Sequence, residues 1–89
     1  MEPFRAPHGW NVHSMTPETI VARVFDCNVN DVSDTTSYET LAGWDSLGHL
    51  TLLIELEAAY GVSFSAEESL AMTNIAAIKR LLHERGVAW

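Results

Sequence analysis

The chain has 89 residues, 47% of them apolar, with twelve acidic against five basic side chains and a formal net charge of -7. That length suits one domain and leaves no room for a second catalytic one. Only roughly 60–65% of the unfolded surface can be buried at this size, so a deep enclosed cleft is not expected. No Lys or Arg stands between Arg23 and Lys79, while Asp26, Asp31, Asp34, Glu39, Asp45, Glu55, Glu57, Glu67 and Glu68 do. A one-signed acidic middle argues against nucleic acid and for protein partners with basic patches. No apolar run is long enough to span a membrane, the N-terminus lacks a secretory centre, and one cysteine, Cys27, rules out an internal disulfide, so a cytoplasmic monomer is expected.

Residues 1–14 hold Pro3, Pro7 and Gly9 among unspaced large side chains and are expected to form a flexible tail. His8 and His13 lack the further ligands that a metal site needs, and no metal is expected. Thr16-Pro17 signals a helix start, and Ile20, Val21, Val24 and Phe25 follow at helical spacing, predicting a first helix from Pro17 to Asp26. From Cys27 to Leu41 turn-forming residues dominate; this is a long loop in which Val29, Val32, Tyr38 and Leu41 are spaced to pin it to a core.

Ser46 to Tyr60 is the most periodic segment and stops at Gly61, a C-terminal cap. At about 100° per residue its apolar side chains fall into two stripes on opposite sides. Leu52, Leu53, Leu56 and Tyr60, with His49, make one; Leu47, Leu50, Ile54 and Ala58, flanked by Glu55 and Glu57, make the other. A domain this small covers one stripe more readily than two, so the second is a candidate partner surface. Ser65-Ala66-Glu67-Glu68 is a capping box opening a brief helix toward Leu70. Thr73 or Asn74 caps a last helix whose inward face is Ile75, Ile78, Leu81 and Leu82 and whose stop is Gly86. The expected fold is all-α: three main helices and one short one in a small bundle with a long first loop, over residues 15–85, followed by a C-terminal tail at 86–89.

Ser46 follows Gly43-Trp44-Asp45 at the opening turn of the second helix, where unpaired N–H groups and the helix dipole favour an anion. Gly43-Trp44-Asp45-Ser46-Leu47-Gly48-His49-Leu50, together with Leu56-Glu57-Ala58-Ala59-Tyr60-Gly61-Val62-Ser63-Phe64, resembles the acyl carrier proteins of fatty acid and polyketide synthesis. The resemblance extends from about Thr16 to Leu82. It implies that Ser46, beside Asp45, is esterified to 4′-phosphopantetheine taken from coenzyme A by a phosphopantetheinyl transferase. It further implies a carrier that catalyses nothing and holds acyl thioesters for acyltransferase, ligase or synthase partners. On the same resemblance Leu47, Leu50, Thr51, Ile54, Glu55 and Glu57 form the docking face. Gly48-His49-Leu50 is more similar to carriers of specialised metabolism, which points to a discrete carrier of a polyketide or hybrid pathway; an aminoacyl or peptidyl carrier is the alternative. Trp44, where many relatives have a smaller apolar residue, and Thr51, in place of an acid, are departures.

Two other classes fit less well. Hydrolases with a Gly-Asp-Ser-Leu block need glycine where Trp44 stands, and also a base, an oxyanion hole and a longer scaffold. A plain helical adaptor would make Ser46 only a cap, which the wider resemblance outweighs.

Overall fold

The computed structural model describes residues 16–89; the N-terminal tail, with His8 and His13, lies outside the described residues. Four α-helices follow in order: α1 (Pro17–Val24), α2 (Ser46–Tyr60), α3 (Ala66–Ala71) and α4 (Ile75–Glu84), with a 3-10 turn at Val29–Asp31. Each α-helix starts where a short polar side chain can accept an otherwise unpaired first-turn N–H. Thr16 caps α1, Asp45 caps α2, Asn74 caps α4, and Ser65 and Glu68 form the reciprocal box on α3. Gly61 closes α2 in the left-handed region, φ 66°, where glycine carries no Cβ penalty.

α1 lies against both α2 and α4, and the core gathers Ile20, Val21, Leu52, Leu56, Met72, Ile75, Ile78 and Leu82 around one centre. Leu52, Leu56, Ile75, Ile78 and Leu82 are fully buried. The expected all-α bundle is therefore present, and among the described residues no strand forms; the one bridge pairs Ser37 with Asn74.

Several local expectations are corrected. The first helix ends at Val24, two residues early, because Asp26 turns into the left-handed region at φ 53°. Of the four apolar loop anchors, Val32 is buried and Leu41 packs partly on the core, but Val29 and Tyr38 are exposed. The backbone supplies the missing anchorage: Ile75 N–H donates to Thr36 O at 3.0 Å and Ala76 N–H to Asp34 O at 3.1 Å. The loop thereby satisfies two first-turn donors of α4, a pairing that side-chain spacing does not encode. Lys79 bridges Asp34 at 2.7 Å and Glu18 at 2.5 Å, tying loop, α1 and α4 together, and these carboxylates raise its pKa. Arg85 pairs with Glu68 and donates to Ser63 O at 2.6 Å, fastening the α2–α3 connection to the end of α4. In the C-terminal tail, residues 86–89, Val87 N–H donates to Leu82 O at 3.0 Å, and Trp89 stacks on His83 with centroids 4.3 Å apart.

Candidate functional site

The site is built where the long loop turns into α2. Gly43, at φ 92°, makes a turn that glycine adopts without strain. Trp44 then drops into the core at 4% exposure. Asp45 Oδ1 accepts the Gly48 N–H at 2.8 Å, and the Asp45 carbonyl accepts the His49 N–H at the same distance. Of the unpaired donors at the start of α2 the Gly48 N–H is thereby met, and the His49 bond is the first of the helix itself. Those of Ser46 and Leu47 find no acceptor among the described residues and face outward with the dipole. The Ser46 side chain is exposed and its hydroxyl makes no hydrogen bond among the described residues.

Gly48 is what lets the turn come so close. A Cβ at position 48 would stand 2.1 Å from the Gly43 carbonyl oxygen and 2.7 Å from Cε1 of Phe25. The loop backbone thus occupies the space of a side chain on the first turn of α2.

Beneath Ser46 lies a chain of aromatic contacts. Trp44 Nε1–H donates to His49 Nδ1 at 2.9 Å, and His49 Nε2 is 2.9 Å from the Ser69 carbonyl. An indole nitrogen only donates, so Nδ1 accepts, the imidazole proton sits on Nε2, and that N–H donates to Ser69. Both ring nitrogens are committed, so neither has a free position for the Ser46 hydroxyl. The indole also stacks on Phe25, centroids 5.7 Å apart, and on the His49 ring, 6.2 Å apart. His49 joins the first turn of α2 to α3 across the core edge.

An open cleft of about 370 Å³ begins at Ser46 and runs between the loop and α3 over Tyr38, Trp44, Leu70 and Met72. Leu70, toward which the short helix was expected to run, is 80% exposed at its rim. Sequence reasoning missed Trp44, His49 and Leu70 as parts of one site. The five-residue spacing of Trp44 and His49, with one ring as donor and the other as acceptor, was the available signal.

The expected docking residues divide. Leu47, Leu50 and Ile54 are 73%, 54% and 55% exposed along one side of α2, and Thr51 lies exposed between them with its hydroxyl donating to Leu47 O at 3.1 Å. Glu55 stands 3.5 Å from Arg23. Glu57 has a structural engagement: its Oε2 accepts the Phe64 N–H at 2.8 Å and holds the turn after α2. The opposite stripe, Leu52 and Leu56, is buried, with Leu53, Ala59 and Tyr60 packed at its margin. α2 is therefore apolar on two sides and buried on one.

A compact helical domain presents an unengaged serine at a helix start, flanked by an open cleft and an exposed apolar stripe. The family described as "Phosphopantetheine attachment site" matches residues 18–82, well over half of the chain, and the chain belongs to it. Members of that family carry a covalently attached 4′-phosphopantetheine and work with phosphopantetheinyl transferases and biosynthetic enzymes. Among curated proteins no match was found. The residues present fit the group: an accessible hydroxyl for the ester and two outward N–H groups beside a position where a phosphodiester would lie. No helix among the described residues is long and apolar enough to cross a membrane.

Proposed function

We propose that Ser46 carries the phosphopantetheine arm and that the chain is a discrete, non-catalytic acyl carrier of a polyketide or hybrid pathway in a reducing, cytosolic compartment. When bound, the arm supplies a thiol on which an acyl group is held as a thioester. The chain's own residues do the rest. Asp45 holds the Gly48 N–H with one carboxylate oxygen and so fixes the first turn on which Ser46 stands. The N–H groups of Ser46 and Leu47 would stabilise a phosphodiester on Ser46, together with the dipole, by about 0.3–1 kcal/mol at an exposed site. Leu47, Leu50, Thr51 and Ile54 offer partners an apolar patch, and the surrounding acids, Glu55 among them, steer basic surfaces toward it.

The observation that carries this reading is the exposed Ser46, without a hydroxyl partner among the described residues, at the start of a helix whose adjacent apolar stripe is exposed. The run Gly48-His49-Leu50 supports specialised metabolism over fatty acid synthesis. Incubation with coenzyme A and a broad-specificity transferase, followed by peptide mapping by mass spectrometry, is expected to give one adduct, on Ser46, absent from Ser46→Ala. An unmodified protein, or an adduct on another serine, would end the reading. Cargo recovered from the native host as an aminoacyl thioester would move the chain to the peptide carriers.

A further inference from the structure

We propose that Trp44, clamped by His49, is a chain-length filter: it closes the inner end of the Ser46 cleft, so that a short acyl group is sheltered there and a long one is kept out of the bundle. The inference rests on Ser46 bearing the cargo.

The cleft starts at the serine and is lined on its inner side by Trp44 and Met72, which are 4% and 1% exposed. Behind them stand Leu52, Leu56, Ile75, Ile78 and Leu82, each fully buried, and none of these lines the cleft. Trp44 and Met72 are the buried residues of that lining, so the indole and the Met72 side chain stand between the opening and this core. The cleft volume of about 370 Å³ falls near the lower end of the roughly 300–1,000 Å³ typical of small-molecule sites.

The indole is held from two directions. Its N–H is bound to His49 Nδ1 and its face lies on Phe25, while the Trp44 backbone that carries it is fixed by an N–H donated to Leu41 O at 3.2 Å. His49 cannot turn to release it without also losing the Ser69 carbonyl. Swinging the ring aside would strand a buried donor, which disfavours the open form by about tenfold or more. Met72 is unbranched and adaptable but has no comparable fastening, so Trp44 is the residue that sets the limit. A smaller side chain at position 44 would leave space between the cleft and Leu52 that methylenes of the cargo can fill.

The test loads the full chain with acetyl-, hexanoyl- and decanoyl-pantetheine from the corresponding coenzyme A thioesters, using a broad-specificity transferase. Thioester hydrolysis and the amide shifts of Leu52 and Ile78 are then followed. In the native chain the hexanoyl and decanoyl forms are expected to hydrolyse within about twofold of each other, because added methylenes find no further apolar site. The Leu52 and Ile78 amides should not move with chain length. In Trp44→Leu the longer thioester should be protected, by up to about fourfold for each further methylene that enters. The Leu52 and Ile78 amides should then shift. Trp44→Phe, which keeps a buried ring and removes the indole N–H, serves if the leucine variant does not fold; if neither folds, the native chain decides alone. Strong protection of the decanoyl thioester in the native chain would overturn the filter, as would a folded variant at position 44 without length dependence. Failure to load Ser46 at all would instead remove the carrier reading beneath it.

Discussion

Replacing Gly48 with alanine tests whether the loop and the first turn of α2 are as tightly engaged as the structure indicates. Intrinsic propensity favours the change by about 0.5–1 kcal/mol, since glycine inside a helix loses more conformational freedom than alanine. The new Cβ, however, would sit 2.1 Å from the Gly43 carbonyl oxygen, and the obstacle is backbone, not the end of a flexible side chain. Relief requires the Gly43 turn to move outward by more than an ångström, roughly, taking with it both Trp44 and the Asp45 cap. Overpacking of this kind costs about 1–3 kcal/mol, and a backbone obstacle belongs at the upper end. The net loss is about 2 kcal/mol, which lowers the melting temperature of a domain this size by about 8–16 °C. Thermal unfolding followed by circular dichroism measures the first effect, and the rate of transferase-dependent loading at Ser46 measures the displacement of the serine. A variant that melts at or above the parent temperature while loading at the parent rate would refute the close approach of loop and helix.

The two apolar sides of α2 should respond in opposite ways. Leu52→Ala, at a fully buried site, is expected to cost about 2–5 kcal/mol, against a total of roughly 5–13 kcal/mol for a chain of this length. Leu50→Ala and Ile54→Ala, at exposed sites, should change stability by less than about 0.5 kcal/mol while weakening transfer to partner enzymes; matched melting curves and transfer rates separate the cases. Glu57→Ala removes the acceptor of the Phe64 N–H and should cost about 1–2 kcal/mol in chemical denaturation, whereas Glu55→Ala, whose ion pair is exposed, should cost less than about 1 kcal/mol. Half-burial, with the Glu18 carboxylate nearby, pushes the Tyr60 phenol from its ordinary value up to about 12. The folded state then holds this proton through a window, from pH 10 to about 12, in which the unfolded chain releases it. Tyr60's contribution to stability is therefore full below pH 10 and lost as pH rises toward 12; denaturation midpoints across that window should fall, and fall less steeply in Tyr60→Phe.

The helix boundaries were legible because their signals are local. Thr16-Pro17, Ser65 with Glu68, Asn74 and Gly61 each act within about four residues of the donor or acceptor they serve, so a linear chain displays both partners. The two-sided α2 was legible for the same reason: helical periodicity places Leu47, Leu50 and Ile54 opposite Leu52 and Leu56 before any packing is known.

What the linear chain does not carry is which long-range partner a polar group takes. Of the expected loop anchors Val29, Val32, Tyr38 and Leu41, Val32 and Leu41 reach the core, and the carbonyls of Asp34 and Thr36 meet α4 besides, though every residue carries a carbonyl. Glu57 looked like a docking acid and turned out to hold the Phe64 N–H; Val87 and Trp89, in the C-terminal tail, pack on the bundle. The largest difference concerns Trp44 and His49. The sequence by itself determined a serine at the head of a doubly apolar helix in an acidic chain, because composition, caps and periodicity are properties of neighbours. Only the tertiary structure decided that the residue two before that serine fills the core edge, that His49 fixes it to the Ser69 carbonyl of α3, and that the cleft therefore ends there. Those contacts depend on the approach of three separate segments, and only the folded chain brings a donor ring, an acceptor ring and a helix carbonyl within 3 Å of one another in turn.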